Sequence, residues 1–204
     1  MLFDDSYKTV SHNAAGIFRD KGSKFMAYLY PIRSEDEVKP IITNLRSEHS
    51  KARHFCYAYR LTPNRAVFRI NDDGEPSGTA GRPILNCLLS EDITNILIVV
   101  VRYFGGTLLG VPGLINAYKT ASIEAIKSAN IITKTVNDIY EVHFEYLQMN
   151  DVMKLVKEEN LDVLSQNFDT NCTLKFEVRK AQLNQVLSKF DKIDDVKLKY
   201  LSTI

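Results

Sequence analysis

The chain has 204 residues with 26 Lys+Arg against 25 Asp+Glu, a formal net charge of +1, and is long enough for one large domain or two small ones. Its longest apolar run is too short to cross a bilayer, its acidic start, Met1-Leu2-Phe3-Asp4-Asp5, is unlike a signal peptide, and Cys56, Cys87 and Cys172 have neither disulfide-framework nor zinc spacing. The expectation is a cytoplasmic protein with no membrane partner, cofactor or metal.

Composition divides the chain. All nine glycines and all six prolines lie at or before Gly113. Residues 138–204 hold 9 basic and 12 acidic side chains, a balance of −3, whereas residues 1–137 hold 17 and 13, a balance of +4. Two domains are expected, at 1–134 and 138–204. The mild basicity of the first permits nucleic-acid contact without demanding it, because no long Lys/Arg block appears.

From Tyr7 to Arg33 short strand-like pieces appear, most clearly Phe25-Met26-Ala27-Tyr28-Leu29-Tyr30, with Gly16 and Gly22 as breaks. Ser34 opens a helix with Glu37 three residues on as a capping box, and Val38, Ile41, Ile42 and Leu45 share one face. Pro40 should kink that helix or delay its start. Two strands, His54 to Leu61 and Ala66 to Ile70, flank Thr62-Pro63-Asn64-Arg65 and predict a hairpin.

The hairpin empties into Asn71-Asp72-Asp73-Gly74-Glu75-Pro76-Ser77-Gly78-Thr79-Ala80-Gly81-Arg82-Pro83. No hydrophobic periodicity explains this stretch, and long, chemically dense loops tend to carry function. Asp72, Asp73 and Glu75 can hold a magnesium ion or do acid/base work. They can also form an Asx-turn cluster that fixes the loop, the preferred reading because no histidine is adjacent. Ile84 to Leu89 then reads as a short helix.

Ile96-Leu97-Ile98-Val99-Val100-Val101 is a β-branched run bounded by polar residues, which suits a central strand buried on both faces. Arg102-Tyr103-Phe104 lead from it into Gly105-Gly106-Thr107-Leu108-Leu109-Gly110-Val111-Pro112-Gly113. Leu114, Tyr118, Ala121 and Ala125 then recur at helical spacing, with Asn116, Lys119, Thr120 and Lys127 off that stripe. Strand, glycine turn and helix N-terminus together make a candidate anion site, although the spacing matches neither the Walker nor the dinucleotide fingerprint. The local sequence favours the plainer reading, that the glycines let a helix pack closely on the sheet.

Ile131 to Val136 reads as a connecting segment. Beyond it Tyr140, Val142, Phe144 and Tyr146 alternate as a strand, and Met149, Val152, Met153 and Val156 mark a helix. Leu161 to Phe168 is a weaker strand, Cys172, Leu174, Phe176 and Val178 alternate cleanly, Leu183, Val186, Leu187 and Phe190 form a helical face, and Val196, Leu198 and Tyr200 close the pattern. The order is βαββαβ, a ferredoxin-like sandwich with helices on one face of an antiparallel sheet. Its open face would show Glu141, His143 and Glu145 beside Thr173, Lys175 and Glu177. That is no aromatic platform, so a standard RNA-recognition motif is excluded and contact with a protein or a ribosomal surface is left.

Three stretches, His54-Phe55-Cys56-Tyr57-Ala58-Tyr59-Arg60, Asp72 to Pro83 and Val101 to Gly110, together resemble the YigZ/IMPACT family, and the resemblance runs the length of the chain. It implies an α+β fold of two domains. The first is an α/β sandwich like the second domain of a small-subunit ribosomal protein, shared with domain IV of elongation factor G and with GHMP kinases. The second is a ferredoxin-like βαββαβ domain that resembles a C-terminal domain of elongation factor G. Eukaryotic members restrain the amino-acid-starvation kinase that targets translation initiation, through that kinase's ribosome-associated activator and with an extra domain absent from this sequence. For bacterial members the fold similarity implies nucleic-acid or ribosome binding. Three positions depart from the family pattern: Pro112 stands for a glycine, Asn116 for an arginine, and Phe55 for the asparagine after the histidine.

The leading expectation is a non-enzymatic, translation-associated protein that binds RNA, the ribosome or a protein partner between the Asp72 and Gly105 loops. The candidate binding residues are His54, Arg60, Asp72, Asp73, Glu75, Ser77, Gly78, Thr79, Arg82, Arg102, Tyr103, Gly105, Gly106 and Lys119. The cations would meet phosphate and the loop N–H groups would donate hydrogen bonds, while Tyr59 and Tyr103 either stack on bases or pack in the core. An enzyme acting on phosphorylated small molecules would use the same loops as a cradle, with Asp72, Asp73 or Glu75 on a metal. Against it, Cys56 sits between aromatic residues in a strand and Ser77 has no identifiable base. His54, the best acid/base candidate, suits a structural bond to the acidic loop. A pure protein adaptor is the third reading. No catalytic residue is assigned.

Overall fold

The computed structural model describes residues 5–168 and 172–204. They divide into two compact units, residues 8–134, and residues 135–204 together with 5–7.

In chain order the first elements are β1 (Ser6–Val10), β2 (Ala14–Asp20), β3 (Ser23–Pro31), α1 (Val38–Glu48), β4 (His54–Leu61), β5 (Val67–Asn71), α2 (Gly81–Ser90), β6 (Ile96–Tyr103), α3 (Gly110–Ser128) and β7 (Ile131–Thr135). Five strands form one sheet in the order β2-β3-β6-β4-β5, every pair antiparallel. The apolar run therefore lies on the middle strand, and each residue from Ile96 to Val101 is 0% exposed. Ile96, Ile98 and Val100 join the core made with α2 and α3, whereas Leu97, Val99 and Val101 join the core made with α1. Side chains alternate across a strand, so a strand covered by helices on both faces needs apolar residues without interruption. At about 1.5–3 kcal/mol per fully buried aliphatic side chain, the six together contribute on the order of 10 kcal/mol before entropy is counted.

Local signals place the helices. The Ser34–Glu37 capping box forms, with the Glu37 carboxylate accepting from the Arg33 and Ser34 N–H groups at 2.7 and 3.0 Å. One 3-10 turn over Glu35–Glu37 precedes α1. Pro40 is thereby the third helical residue, where its missing N–H falls among donors that have no intrahelical partner anyway. Helix α2 begins at Gly81, three residues before the predicted Ile84, and carries Pro83 in its first turn, where proline's fixed φ suits the helix.

Two expectations are corrected in this unit. Gly16 does not break a strand but sits in the middle of β2, where a Cβ would fall 2.2 Å from the Ala125 backbone nitrogen. Its bareness lets α3 lie directly on the sheet. The segment from Ile131 is no plain connection either, because Ile131–Thr135 pairs with β1 in a two-stranded sheet. Its partner lies more than a hundred residues earlier, so no hairpin signal marks it.

The second unit contains β8 (Asn137–Phe144), α4 (Met149–Glu158), β9 (Asp162–Phe168), β10 (Cys172–Arg179), α5 (Leu183–Phe190) and β11 (Lys197–Thr203). Its sheet runs β11-β8-β10-β9, all antiparallel, which is the ferredoxin-like arrangement. Val142, Leu174 and Phe176 from the strands pack with Val152 and Phe190 from the helices. On the other face Glu141 meets His143 at 3.0 Å and Lys175 at 3.4 Å, so that face is ionic as expected. Tyr146, counted with the first strand, lies instead in an exposed 3-10 turn beyond it, because β8 ends at Phe144.

Candidate functional site

The loop between β5 and α2 is folded by its own carboxylates. Asp72 Oδ2 accepts from the Gly78 N–H at 2.9 Å, and Oδ1 accepts from the Ala80 and Gly81 N–H groups at 3.0 and 2.8 Å. One side chain thus closes the loop and caps α2, whose N-cap position, Ala80, has no side-chain acceptor of its own. Gly78 takes a positive φ of 78° inside that ring, and Gly74 one of 87°. Asp73 donates its N–H to Asn71 Oδ1 at 2.7 Å, an Asx turn. Its carboxylate accepts from the Phe55 N–H at 2.7 Å and from Arg46 Nη2 at 2.8 Å. The Asp73 carbonyl accepts from His54 Nδ1 at 2.9 Å. The buried Thr79 hydroxyl donates to the Pro76 carbonyl at 2.7 Å, while Ser77 is exposed.

Glu75 points the other way, into the protein. The register places Arg102 of β6 between Phe25 on β3 and His54 on β4, so its side chain leaves the sheet on the α2–α3 face. There Arg102 Nη1 meets Glu75 Oε1 at 2.6 Å, with the two side chains 7% and 4% exposed. The Tyr118 hydroxyl of α3 donates to the same oxygen at 2.7 Å, and the Cys56 thiol donates to that hydroxyl at 3.3 Å and to the Asp72 carbonyl at 3.0 Å. The guanidinium also lies over the Phe25 and Phe104 rings, at 5.5 and 5.6 Å from their centroids. Burial pushes the Tyr118 hydroxyl far above its ordinary pKa, with Cys56 and Glu75 adding to the shift. Burial likewise pushes the Cys56 thiol up, against the opposing hydrogen bond with Tyr118. A thiol so placed stays protonated at neutral pH and is no nucleophile.

The structure brings His54, Asp72, Asp73, Glu75, Gly78, Thr79 and Arg102 into one bonded assembly, with Ser77 and Arg82 on its exposed rim and Lys119 exposed on α3. Arg60 lies elsewhere. It stands opposite Ile96 at the far end of the sheet and bonds Asp92 at 3.2 Å and the Ile93 carbonyl at 3.3 Å. Tyr103 emerges on the α1 face, where its hydroxyl meets His49 Nδ1 at 2.8 Å, and Tyr59 is buried in the same core. Gly105 packs on the β2–β3 turn, so close that a Cβ would sit 1.9 Å from the Gly22 carbonyl carbon, while Gly106 takes a φ of 86° in open space. What ties this turn to the acidic loop is the Arg102–Glu75 pair. Tyr118, Arg46 and Asn71 were not among the expected site residues. Tyr118 carried a signal, since a tyrosine in the buried stripe of a helix needs a partner for its hydroxyl.

Fold and site together define a two-unit α+β protein in which an acidic loop, ordered by its own carboxylates, is locked to a central strand by a buried ion pair. The chain belongs to the IMPACT family: the Impact N-terminal domain matches residues 21–126, which contain the whole assembly. It is 33% identical over 156 residues to an IMPACT family member of Haemophilus influenzae, spanning 76% of each chain. It is 30% identical over 171 residues to the IMPACT family member YigZ of Escherichia coli, spanning 83% of this chain and 84% of that one. A crystal structure of a hypothetical protein superposes with a TM-score of 0.75 at 26% identity, covering 97% of this chain and 98% of the other.

Proposed function

We propose that this protein is a non-enzymatic, cytoplasmic regulator of translation that works by binding a component of the translation apparatus. Family membership supports the link to translation, through the role that the resemblance implies for eukaryotic members. The observation that carries the binding reading is the saturation of the motif by the chain's own groups. Asp72 holds three backbone N–H groups, Asp73 holds Arg46 and Phe55, Glu75 holds Arg102 and Tyr118, and His54 holds the Asp73 carbonyl. Acid/base or metal chemistry on a phosphorylated substrate would have to break these bonds before any carboxylate could act. Arg82 and Lys119 stay exposed and are placed to meet a partner.

Cosedimentation of the purified chain with ribosomes of its host, at low and moderate salt, tests the reading. Salt-sensitive pelleting that the Arg82→Glu/Lys119→Glu variant loses is the expected result, since contacts between exposed charges weaken as salt screens them. No pelleting at either salt overturns it.

A further inference from the structure

Arg82 and Lys119 border a groove of about 690 Å³ between α2 and α3. Both helices run from the Asp72 end of the sheet toward the Arg60 end: α2 starts on Asp72 and leads to Ile93 beside Arg60, and α3 passes Glu75 at Tyr118 before Ser128 reaches the Ala15 carbonyl. The groove is therefore bounded lengthwise by two parallel helices. Ile115, Ile123, Ile126 and Ile131 line it. Val111, Ile115 and Ile123 lie off the buried Leu114–Tyr118–Ala121–Ala125 stripe of α3, with Lys119 between Ile115 and Ile123, while Ile126 belongs to the core. Exposed isoleucines, Ile115 and Ile131, gathered on one groove mark an interaction surface.

The lining selects among occupants. Among the described residues no aromatic side chain borders the groove, so it offers no aromatic platform for a run of bases. The two long walls are helices, and of the lining residues only Ile131, the first of β7, belongs to a strand, too little edge to pair an extended peptide. What fits is another helix, and the 19 residues of α3 span about 28 Å, the length of roughly five helical turns. Charge sets its flanks. Arg82, Lys119 and Lys127 border the groove against Glu91 alone. Lys127 pairs with Glu124 at 2.8 Å, whereas among the described residues Arg82 and Lys119 have no acidic partner.

We propose that the α2–α3 groove docks an amphipathic helix of a partner protein, its apolar face on Ile115, Ile123 and Ile131 and its acidic side chains opposite Arg82 and Lys119. The inference rests on the binding reading above but not on the partner's belonging to translation, so ribosome pelleting and the following titration can fail separately. The probe is a fluorescein-labelled helical peptide of about 18 residues with leucines at i, i+3, i+4 and i+7 and glutamates on both flanks. A counterpart carries lysines on the flanks, and the full chain is titrated against each by anisotropy. The glutamate peptide is expected to bind about tenfold tighter or better. Arg82→Glu/Lys119→Glu inverts the preference, and Ile115→Ser, at an exposed position, weakens both peptides while the circular dichroism spectrum is unchanged. Absence of saturable peptide binding, equal affinity for the two peptides, or insensitivity to these substitutions overturns the proposal. So does a single-stranded RNA of about 20 nucleotides that binds through Arg82 and Lys119 while the peptide does not.

Discussion

Replacing Arg102 by Met keeps most of the side-chain stem over Phe25 but removes the cation from a carboxylate that is 4% exposed. Breaking a buried pair on one side costs about 3–5 kcal/mol, because the remaining charge keeps its desolvation penalty without its partner. The Tyr118 hydrogen bond to Glu75 survives and holds the loss toward the lower end of that range. In the double variant Arg102→Met/Glu75→Gln no charge is left buried, and the amide oxygen still accepts from Tyr118. The double variant should therefore be more stable than Arg102→Met alone by about 1–3 kcal/mol, a coupling typical of groups in direct contact. Native-state hydrogen exchange of the β6 amides reads the opening free energy of this unit without contribution from the other. A loss below about 1 kcal/mol for Arg102→Met, or additive losses in the double variant, would refute the claim that this pair locks the acidic loop to the sheet.

The same exchange measurement checks the first two of the following expectations, and urea denaturation between pH 9 and 11 checks the third. Gly16→Ala puts a Cβ 2.2 Å from the Ala125 nitrogen, a backbone atom that cannot swing away, and should cost about 3 kcal/mol or more; Gly106→Ala, strained only by its φ of 86°, should cost about 1–2 kcal/mol, and equal losses would contradict the packing account. Asp72→Ala orphans three N–H groups and should cost about 3 kcal/mol or more, with Asp72→Asn milder because one oxygen remains for Ala80 and Gly81. Burial raises the Cys87 thiol from an ordinary 9.0 to about 11, so the folded state holds its proton longer than the unfolded chain. Its contribution is complete below pH 9 and is lost as pH rises toward 11; Cys87→Ala should flatten that alkaline decline, and an unchanged slope would count against the burial account.

Elements whose signal is local were legible in the sequence. The middle strand announced itself because burial on both faces leaves no polar position, and α1 did so because its capping box lies within four residues. The β8–β11 unit was legible because alternation and helical spacing each repeat over short windows. Gly16 and β7 were misread for one reason: what explains each lies on a segment more than a hundred residues away. The composition of the acidic loop pointed to a turn cluster, and Asp72 and Asp73 form it. Glu75 looked the same from its neighbours and does something different.

Residue types and their spacing were sufficient to settle the two-part α+β architecture, the central strand and the stretches that carry the family likeness, because hydrophobic period and turn chemistry act over a few residues. Only the tertiary structure decided that Glu75 turns inward to Arg102 and Tyr118, that Arg60 and Tyr103 stand apart from the loop, and that Arg82 and Lys119 face one groove. Those outcomes depend on strand register and helix placement. Both are set by burial summed over the whole unit, and no short window of sequence contains that sum.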